Sequence, residues 1–550
     1  MKIKLLIVGI AITSIFSSIA NAQLTISSGA VFNIQGSAFV TVQGDVLSNA
    51  DITGAGSLVL KGSANQNVNM NGFTIPNLEM DNTANATLTG NLKIGSSVKF
   101  TNGKVLLGSN TATLTTAALS TGMGTSKFFE TDGTGFVRRE LAADISNVVS
   151  PVGVGTDYLP VTLTNTGSTY AGASIGVQAK GIANANRHPR TETYLLANWP
   201  INKIGITAGS TNAVGTYVDP TRFVSFGSGV ETDLRGFFWN GTNWSVAGGS
   251  QDAALNTVGA SITGTSGELF GMNTFVLLDS KVFLQGAYNT VTGFMNDNLR
   301  TTVAYIPGNV PTGNLIPTSD PYRSAPYNTW FTHVNNTTTE TATATAFNDK
   351  PIATDNIVDW VFVELRSNIT PLNTITQTRA ALLQRDGDIV DIDGVSPLYF
   401  KNVNPLNYTV AVRHRNHLGM SSNPAVFNQS LDVVTNVTKL NFTNPASSGN
   451  FMGTAGSNYF NNGTVNILYA GNVNMNTSLR WNAPSSDKDY LLNSVLGGVS
   501  STTFSNIYSI GDVNLNRGVR WNAPNSDKDY ILATPLTGSS SLVKNQLFPN

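Results

Sequence analysis

The chain has 550 residues, no cysteine, a formal net charge of −1 and only 12% charged residues. The missing thiol excludes disulfides and lipid attachment through cysteine, and the near-zero charge leaves no basic field for nucleic acid or an acidic membrane surface. A charged fraction near half the ~25% of an average globular chain, with abundant Gly, Asn, Thr and Val, fits an extracellular all-β protein of several domains.

In chain order, residues 1–22 read as a secretory signal peptide: Lys2 and Lys4, an apolar run over 5–19, then Ala20-Asn21-Ala22 as a small-residue cleavage site. Secretion to the extracellular space or cell surface is therefore expected. No later apolar run reaches the ~20 residues of a membrane helix, so no membrane span is expected after cleavage.

Over 23–116, short alternating segments such as VFNIQG, FVTVQG, SLVLKG and VKFTNG are broken by Gly or Asn. Each can bury one face, and the Gly and Asn permit turns. The spacing allows a parallel β-solenoid or a sandwich. Asn at turn positions and the lack of two-residue hairpin turns favour the solenoid, and the stretch resembles the β-helical starts of bacterial adhesins. Residues 117–157 read as cap and linker, with Arg138 and Arg139 as solvated charges on an edge strand.

Residues 158–280 read as an antiparallel β-sandwich. Asn240-Gly241 between aromatic segments marks a hairpin that pairs Trp239 with Trp244, as a core or half-buried pair, with a sugar-stacking platform as the alternative.

Residues 281–440 read as a further sandwich. In the strand 357–366, Trp360, Phe362 and Glu364 share one face, and Asp386-Gly387 predicts a hairpin turn. His414 and His417 are three apart, which on a strand places them on opposite faces unless the chain turns at Asn416. With Arg413 and Arg415 beside them, the expectation is a polar strand end whose arginines pair with Glu364, Asp359 or Asp391, rather than a metal site. Four His, no Cys and no G-x-S-x-G elbow provide few parts for nucleophilic catalysis. A glycosidase would need two carboxylates, and before Thr116 the coil region has Asp45, Asp51, Glu79 and Asp81, all in turn-rich contexts. The chain is not expected to be an enzyme.

Within 441–550 the sequence repeats itself. Residues 471–492 (GNVNMNTSLRWNAPSSDKDYLL) and 511–532 (GDVNLNRGVRWNAPNSDKDYIL) are identical at 15 of 22 positions. Asp512, Asn514 and Asn516, and Asn472, Asn474 and Asn476 in the first copy, alternate as in the opening of a calcium loop, with Asp527 and Asp487 as closing acids. Structural Ca²⁺ is the expected cofactor. The pattern departs from a standard loop: the glycine falls at Gly518, one place late, Ser478 replaces it in the first copy, and Ala523 occupies position 12. The alternative is two Asn-rich turn units held by Trp481 and Trp521, with Asp489 and Asp529 capping short helical turns.

The ordered series VFLQGAYN, NDNLRTTVAYIP, DNIVDWVFVELRS, TRAALLQRDGDIVDIDGVSPLYF and NYTVAVRHRNHLGM resembles the haemagglutinin-like or adhesin-like module of secreted Bacteroidetes proteins, over about 280–430. The repeats resemble dockerin-type calcium loops and the GDVN repeats at the ends of such proteins. The resemblance implies an extracellular or cell-surface protein, suggests adhesion and transfers no catalytic residue.

Taken together, the expected fold is all-β: an N-terminal β-solenoid or sandwich, antiparallel β-sandwich domains, then a small calcium-loop-like repeat module. The expected function is a non-catalytic adhesin or structural surface protein, acting through self-association, including fibres, or through a surface glycan or protein ligand. The alternative is a carbohydrate-binding or scaffold component of a polysaccharide-degrading system.

Overall fold

The computed structural model describes residues 23–548 except 168, 188–190, 227–228, 247, 368–373, 404–406, 425–428, 431–437, 483–484 and 523–525. The predicted signal segment lies outside the described residues. The chain is all-β and forms two compact units, the first ending at Met272 and the second running from Asn273.

The first unit begins as a parallel β-solenoid. Leu58 pairs with Leu78 and Leu78 with Val98, so the chain advances 20 residues per coil there. This register stacks inward-facing residues in columns: Leu58, Leu78 and Val98 in one, Leu60, Met80 and Phe100 in another, all at most 1% exposed. A second parallel stack runs through Val46, Val68 and Leu88. The polar residues between them bond from coil to coil at the surface. Asn71 donates to Asn49 at 2.6 Å, Thr87 to Asn65 at 3.0 Å and Ser97 to Asn77 at 2.7 Å. Gly103 shows why turns need glycine: its φ is +75°, and a Cβ there would lie 1.9 Å from the Asn82 carbonyl oxygen.

The coils continue past Thr116 into the stretch read as cap and linker. Phe129–Glu130 and Val137–Leu141 still pair in parallel with the coil below, because Phe129, Val137 and Leu141 keep the inward alternation. Antiparallel pairing begins on the other side of Val137–Leu141, which pairs with Thr169–Val177. One 13-stranded sheet thus passes from parallel coils to antiparallel strands. Arg138 and Arg139 are consequently interior to the sheet and not solvated edge charges. Arg139 is 6% exposed and donates to the carbonyls of Thr115, at 2.8 Å, and Ala118. Arg138 bonds Ser174 and Asn202.

The antiparallel strands form the sandwich expected for this region. The long strand Thr193–Thr207 lies in the large sheet and Ser210–Thr216 in a five-stranded antiparallel sheet. Gly215 makes room for Trp199 between them: a Cβ there would sit 2.8 Å from the indole. Trp239 and Trp244 face each other across the predicted hairpin with rings 5.3 Å apart. Trp244 is 6% exposed and donates to the Asn186 carbonyl, so it belongs to the core, with Trp239 half-buried beside it.

The second unit is built on a nine-stranded sheet. Its strand Ile357–Ser367 is flanked by Ile375–Gln384 and Asn407–His414, and it is buried on both faces from Ile357 to Leu365. The Asp386-Gly387 hairpin forms, with Leu383 opposite Ile389 and Gly387 at φ +95°. Over 296–356 there are four short 3-10 turns and no strand among the described residues. This irregular segment covers the Phe362 face of the sheet: the Tyr322 and Phe331 rings lie 5.4 and 5.1 Å from Phe362, and the Tyr322 hydroxyl donates to the Trp360 carbonyl.

Candidate functional site

The repeated segments fold alike and close on each other. In each copy an Asn-rich loop leads into a short strand, Ser478–Arg480 or Gly518–Arg520, and then into a helix that starts at Asp487 or Asp527. Ser486 and Ser526 cap these helices, accepting from the Asp489 and Asp529 amides. Gly518–Arg520 pairs with Thr503–Ser505. Ser478–Arg480 pairs with Val543–Asn545, 40 residues beyond Thr503–Ser505, so the end of the chain completes the first copy. Equivalent residues form one shared core: Val473 with Val513, Leu479 with Val519, Leu491 with Ile531, Leu496 with Leu536. The contact is reciprocal. Gly471 of the first copy lies against Ile531 of the second, and Gly511 of the second against Leu491 of the first.

The residues expected to ligate calcium lie together in each copy, and their polar atoms are largely engaged by the chain itself. Asp527 accepts from the backbone N–H groups of Val513 and Arg520 at 3.0 and 2.9 Å, one on each oxygen. Asp487 does the same with Asn474 and Arg480 at 3.5 and 2.8 Å. These acids tie the helix start to the loop, and burial pushes both carboxyls up to about 8. Asp512 accepts from the Asn516 and Arg517 amides, both at 2.9 Å, and burial raises it to about 6 against the opposing charge of Arg415.

The first copy closes its loop with the opposite polarity: Asn472 donates to the Asn476 carbonyl at 2.9 Å, and its own Oδ1 is buried without a partner. Asn474 donates to Ser485, while Asn476 accepts from Ser478 and Asn516 from Gly518. Asn514 is half-buried. The left-handed turn of the second loop falls at Leu515 and Arg517, φ +53° and +77°, and not at Gly518. Arg517 therefore occupies the place where a calcium loop carries its glycine. The helix-capping role belongs to Ser486 and Ser526, while Asp489 and Asp529 are largely turned to solvent. Lys488 and Lys528 stand over Trp481 and Trp521, each 5.4 Å from the ring.

A hairpin tip from the sheet is wedged between the two copies. The chain turns at Arg415-Asn416, between Asn407–His414 and His417–Ser421. Asn416 donates to the carbonyl of Asp512 in the second copy and to that of Ile510 just before it, and Arg415 to that of Ser509. The backbone of Asn416 and Leu418 bonds Gly471 and Tyr469 on the first-copy side. Because the turn is this tight, His414 and His417 converge and do not point to opposite faces. Their Nδ1 atoms are 3.0 Å apart.

The backbone fixes the protons in this cluster. Gly286 N–H donates to His417 Nε2 at 3.1 Å, so His417 carries its proton on Nδ1, within reach of both Asn416 Oδ1 at 2.8 Å and His414 Nδ1. His414 Nε2 in turn donates to Asp359 at 3.0 Å. Burial holds both imidazoles below the usual 6.5, so both are neutral. Asp359 also accepts from Arg415 at 3.0 Å and Tyr508 at 2.7 Å. Burial pushes this carboxyl up, yet Arg415, His414 and Tyr508 outweigh it and bring it to about 2.

The expected arginine pairings hold: Arg413 with Glu364 at 3.1 Å and Arg415 with Asp359. Sequence reasoning did not place Tyr508 here, and no local signal points to it. The wedge binds two closed loops into one body. Comparison with protein-family models, curated proteins and solved structures returns no match.

Proposed function

We propose that the chain is a secreted, non-catalytic surface protein that acts by spacing and contact, as an adhesin or a structural subunit. The observation that supports this reading most is the coil stack. Its surface is lined by side-chain ladders that each coil offers to the next, and its first strands, Leu24–Ile26 and Phe39–Val42, have a neighbour on one side only among the described residues. Val31 and Phe39 at that end are 88% and 64% exposed. An open coil edge with apolar side chains suits end-on contact with a second copy.

Light scattering and negative-stain imaging of the mature chain test the reading. Concentration-dependent rods that Phe39→Lys shortens are expected. Monodisperse monomers at every concentration, with and without Ca²⁺, remove self-assembly. Release of reducing sugar from a polysaccharide removes the non-catalytic reading altogether.

A further inference from the structure

We infer a second, distinct metal site in the irregular segment of the sheet unit: Asp320, His333 and Glu340 hold one divalent first-row transition ion of the Zn²⁺ class. One ligand atom from each lies within 4.8 Å of the others. The chain brings them together by backbone pairing. The Ser319–Thr341 bridge and the Asp320 N–H bond to the Glu340 carbonyl, 2.9 Å, set the two acids side by side. Val334 is bonded in both directions to Thr378 of the sheet, which fixes His333 over Phe362 with ring centroids 5.0 Å apart.

The histidine carries the argument. Its side chain is 9% exposed, yet neither Nδ1 nor Nε2 makes a hydrogen bond, and Asp320 Oδ2, fully buried, lacks one too. Nε2 and Oδ2 are 3.2 Å apart but misaligned for a hydrogen bond. Two ligands at 2.0–2.2 Å from a tetrahedral ion stand about 3.4 Å apart, so the observed separation is that of neighbouring ligands. A buried imidazole with both nitrogens idle is costly unless something fills the gap.

The remaining groups leave room for a cation. Asp320 Oδ1 accepts from Tyr322 N, leaving Oδ2 for the ion. Glu340 accepts from Arg379 and from Ala380 N, one per oxygen, and each oxygen keeps a further lone pair. Arg323 binds the Asn336 and Thr338 carbonyls through a terminal nitrogen, while its Nε stands 3.4 Å from Asp320 Oδ2 without a hydrogen bond of its own, and Arg379 is shared with Asp391. Three carboxylates, Asp320, Glu340 and Asp391, against two guanidiniums, Arg323 and Arg379, give the surroundings an excess of acidic groups. An imidazole with carboxylates suits zinc-like ions, whereas the all-oxygen repeat loops suit calcium. The ion would tie together three points of a strandless segment.

The test uses the full mature chain, freed of metal by chelator and titrated with Zn²⁺ and separately with Co²⁺. Uptake of one ion per chain is expected, with visible Co²⁺ bands and a raised melting temperature. His333→Gln should weaken Zn²⁺ at least about tenfold and abolish the bands, while His188→Gln changes neither. Asp320→Asn should act like His333→Gln. If that variant does not fold, His333→Gln decides, its melt in chelator confirming the fold. No stoichiometric uptake, or equal uptake and bands in His333→Gln, overturns the site.

Discussion

The coil region and the hairpin-and-repeat region both carry many polar side chains, and they use them in opposite ways. In the coils, Asn, Thr, Lys and Glu bond sideways at the surface, each coil to the next, so the cost of losing any one is local. Around Arg415 the polar groups bond inward. Arg415, His414 and Asp359 are all fully buried, and Asp359 accepts from both of the others as well as from Tyr508. Additive tolerance in one region and all-or-none dependence in the other follow from burial alone.

The sharpest way to break this contrast is Asp359→Ala. It removes the carboxylate bonded to the fully buried Arg415 guanidinium and leaves the Tyr508 hydroxyl and His414 without that acceptor. A loss of about 3–5 kcal/mol is expected, read as a lower denaturation midpoint or loss of soluble protein. An effect below about 1 kcal/mol would show that the cluster is wetter than its burial indicates.

Proton linkage gives the next largest effect. Asp487 and Asp527, usually 3.8, are raised to about 8 when folded. The folded state therefore binds more protons than the unfolded one between those values, and stability falls as pH rises through them. His414 and His417, lowered below 6.5, act oppositely: the unfolded state binds more protons, so stability falls as pH drops below 6.5. The two trends oppose each other in acid, and only the carboxyls act above 6.5. In divalent-free buffer, stability should decline from pH 6.5 to 8.5 by roughly 1 kcal/mol per unit for each carboxyl. Asp487→Asn with Asp527→Asn should flatten that limb. Calcium in the loops would stabilise the ionised carboxyls, so millimolar Ca²⁺ should remove the limb in the parent chain. A decline unchanged by Ca²⁺ sinks the calcium reading and leaves the two acids as loop staples.

Gln66→Ala probes one of the buried polar side chains inside the coils, with Ser48 and Asn82 as others. Gln66 is 1% exposed, and its amide donates to the Val42 and Gly44 carbonyls at 2.9 and 2.6 Å. Leaving both unpaired should cost about 1–3 kcal/mol, measured by denaturation. That places the residue between the two regimes.

The coils were legible because their physics is local: alternation sets the buried face and Asn or Gly sets the turn, coil after coil. The repeat was legible because it is written twice. The rest depends on contacts between distant residues. Asp359 meets Arg415 and Tyr508 only once the sheet and the closed repeat pair exist. Whether His414 and His417 converge hung on a turn at Asn416, which the sequence left open because Arg415-Asn416 lacks the Asn-Gly signature of a tight hairpin. Arg138 and Arg139 were misplaced because nothing in the sequence marks where parallel coils give way to antiparallel strands. Asp320, His333 and Glu340 sit in a segment without periodicity, where spacing carries no information about side-chain direction.

The smallest effect completes the contrast. Glu79 accepts from Lys99 at 2.8 Å and Thr101 at 2.6 Å on the outer face of the coils, where Lys99 is 56% exposed. Water competes for these groups and salt screens them, so Glu79→Ala should cost at most about 1 kcal/mol and less at high ionic strength. A double-mutant cycle with Lys99→Ala isolates the pair. A coupling above about 2 kcal/mol would mean that the ladder acts as one cooperative unit along the stack. The coils would then share the all-or-none character of the hairpin region, and the division drawn between surface and buried polarity would fail.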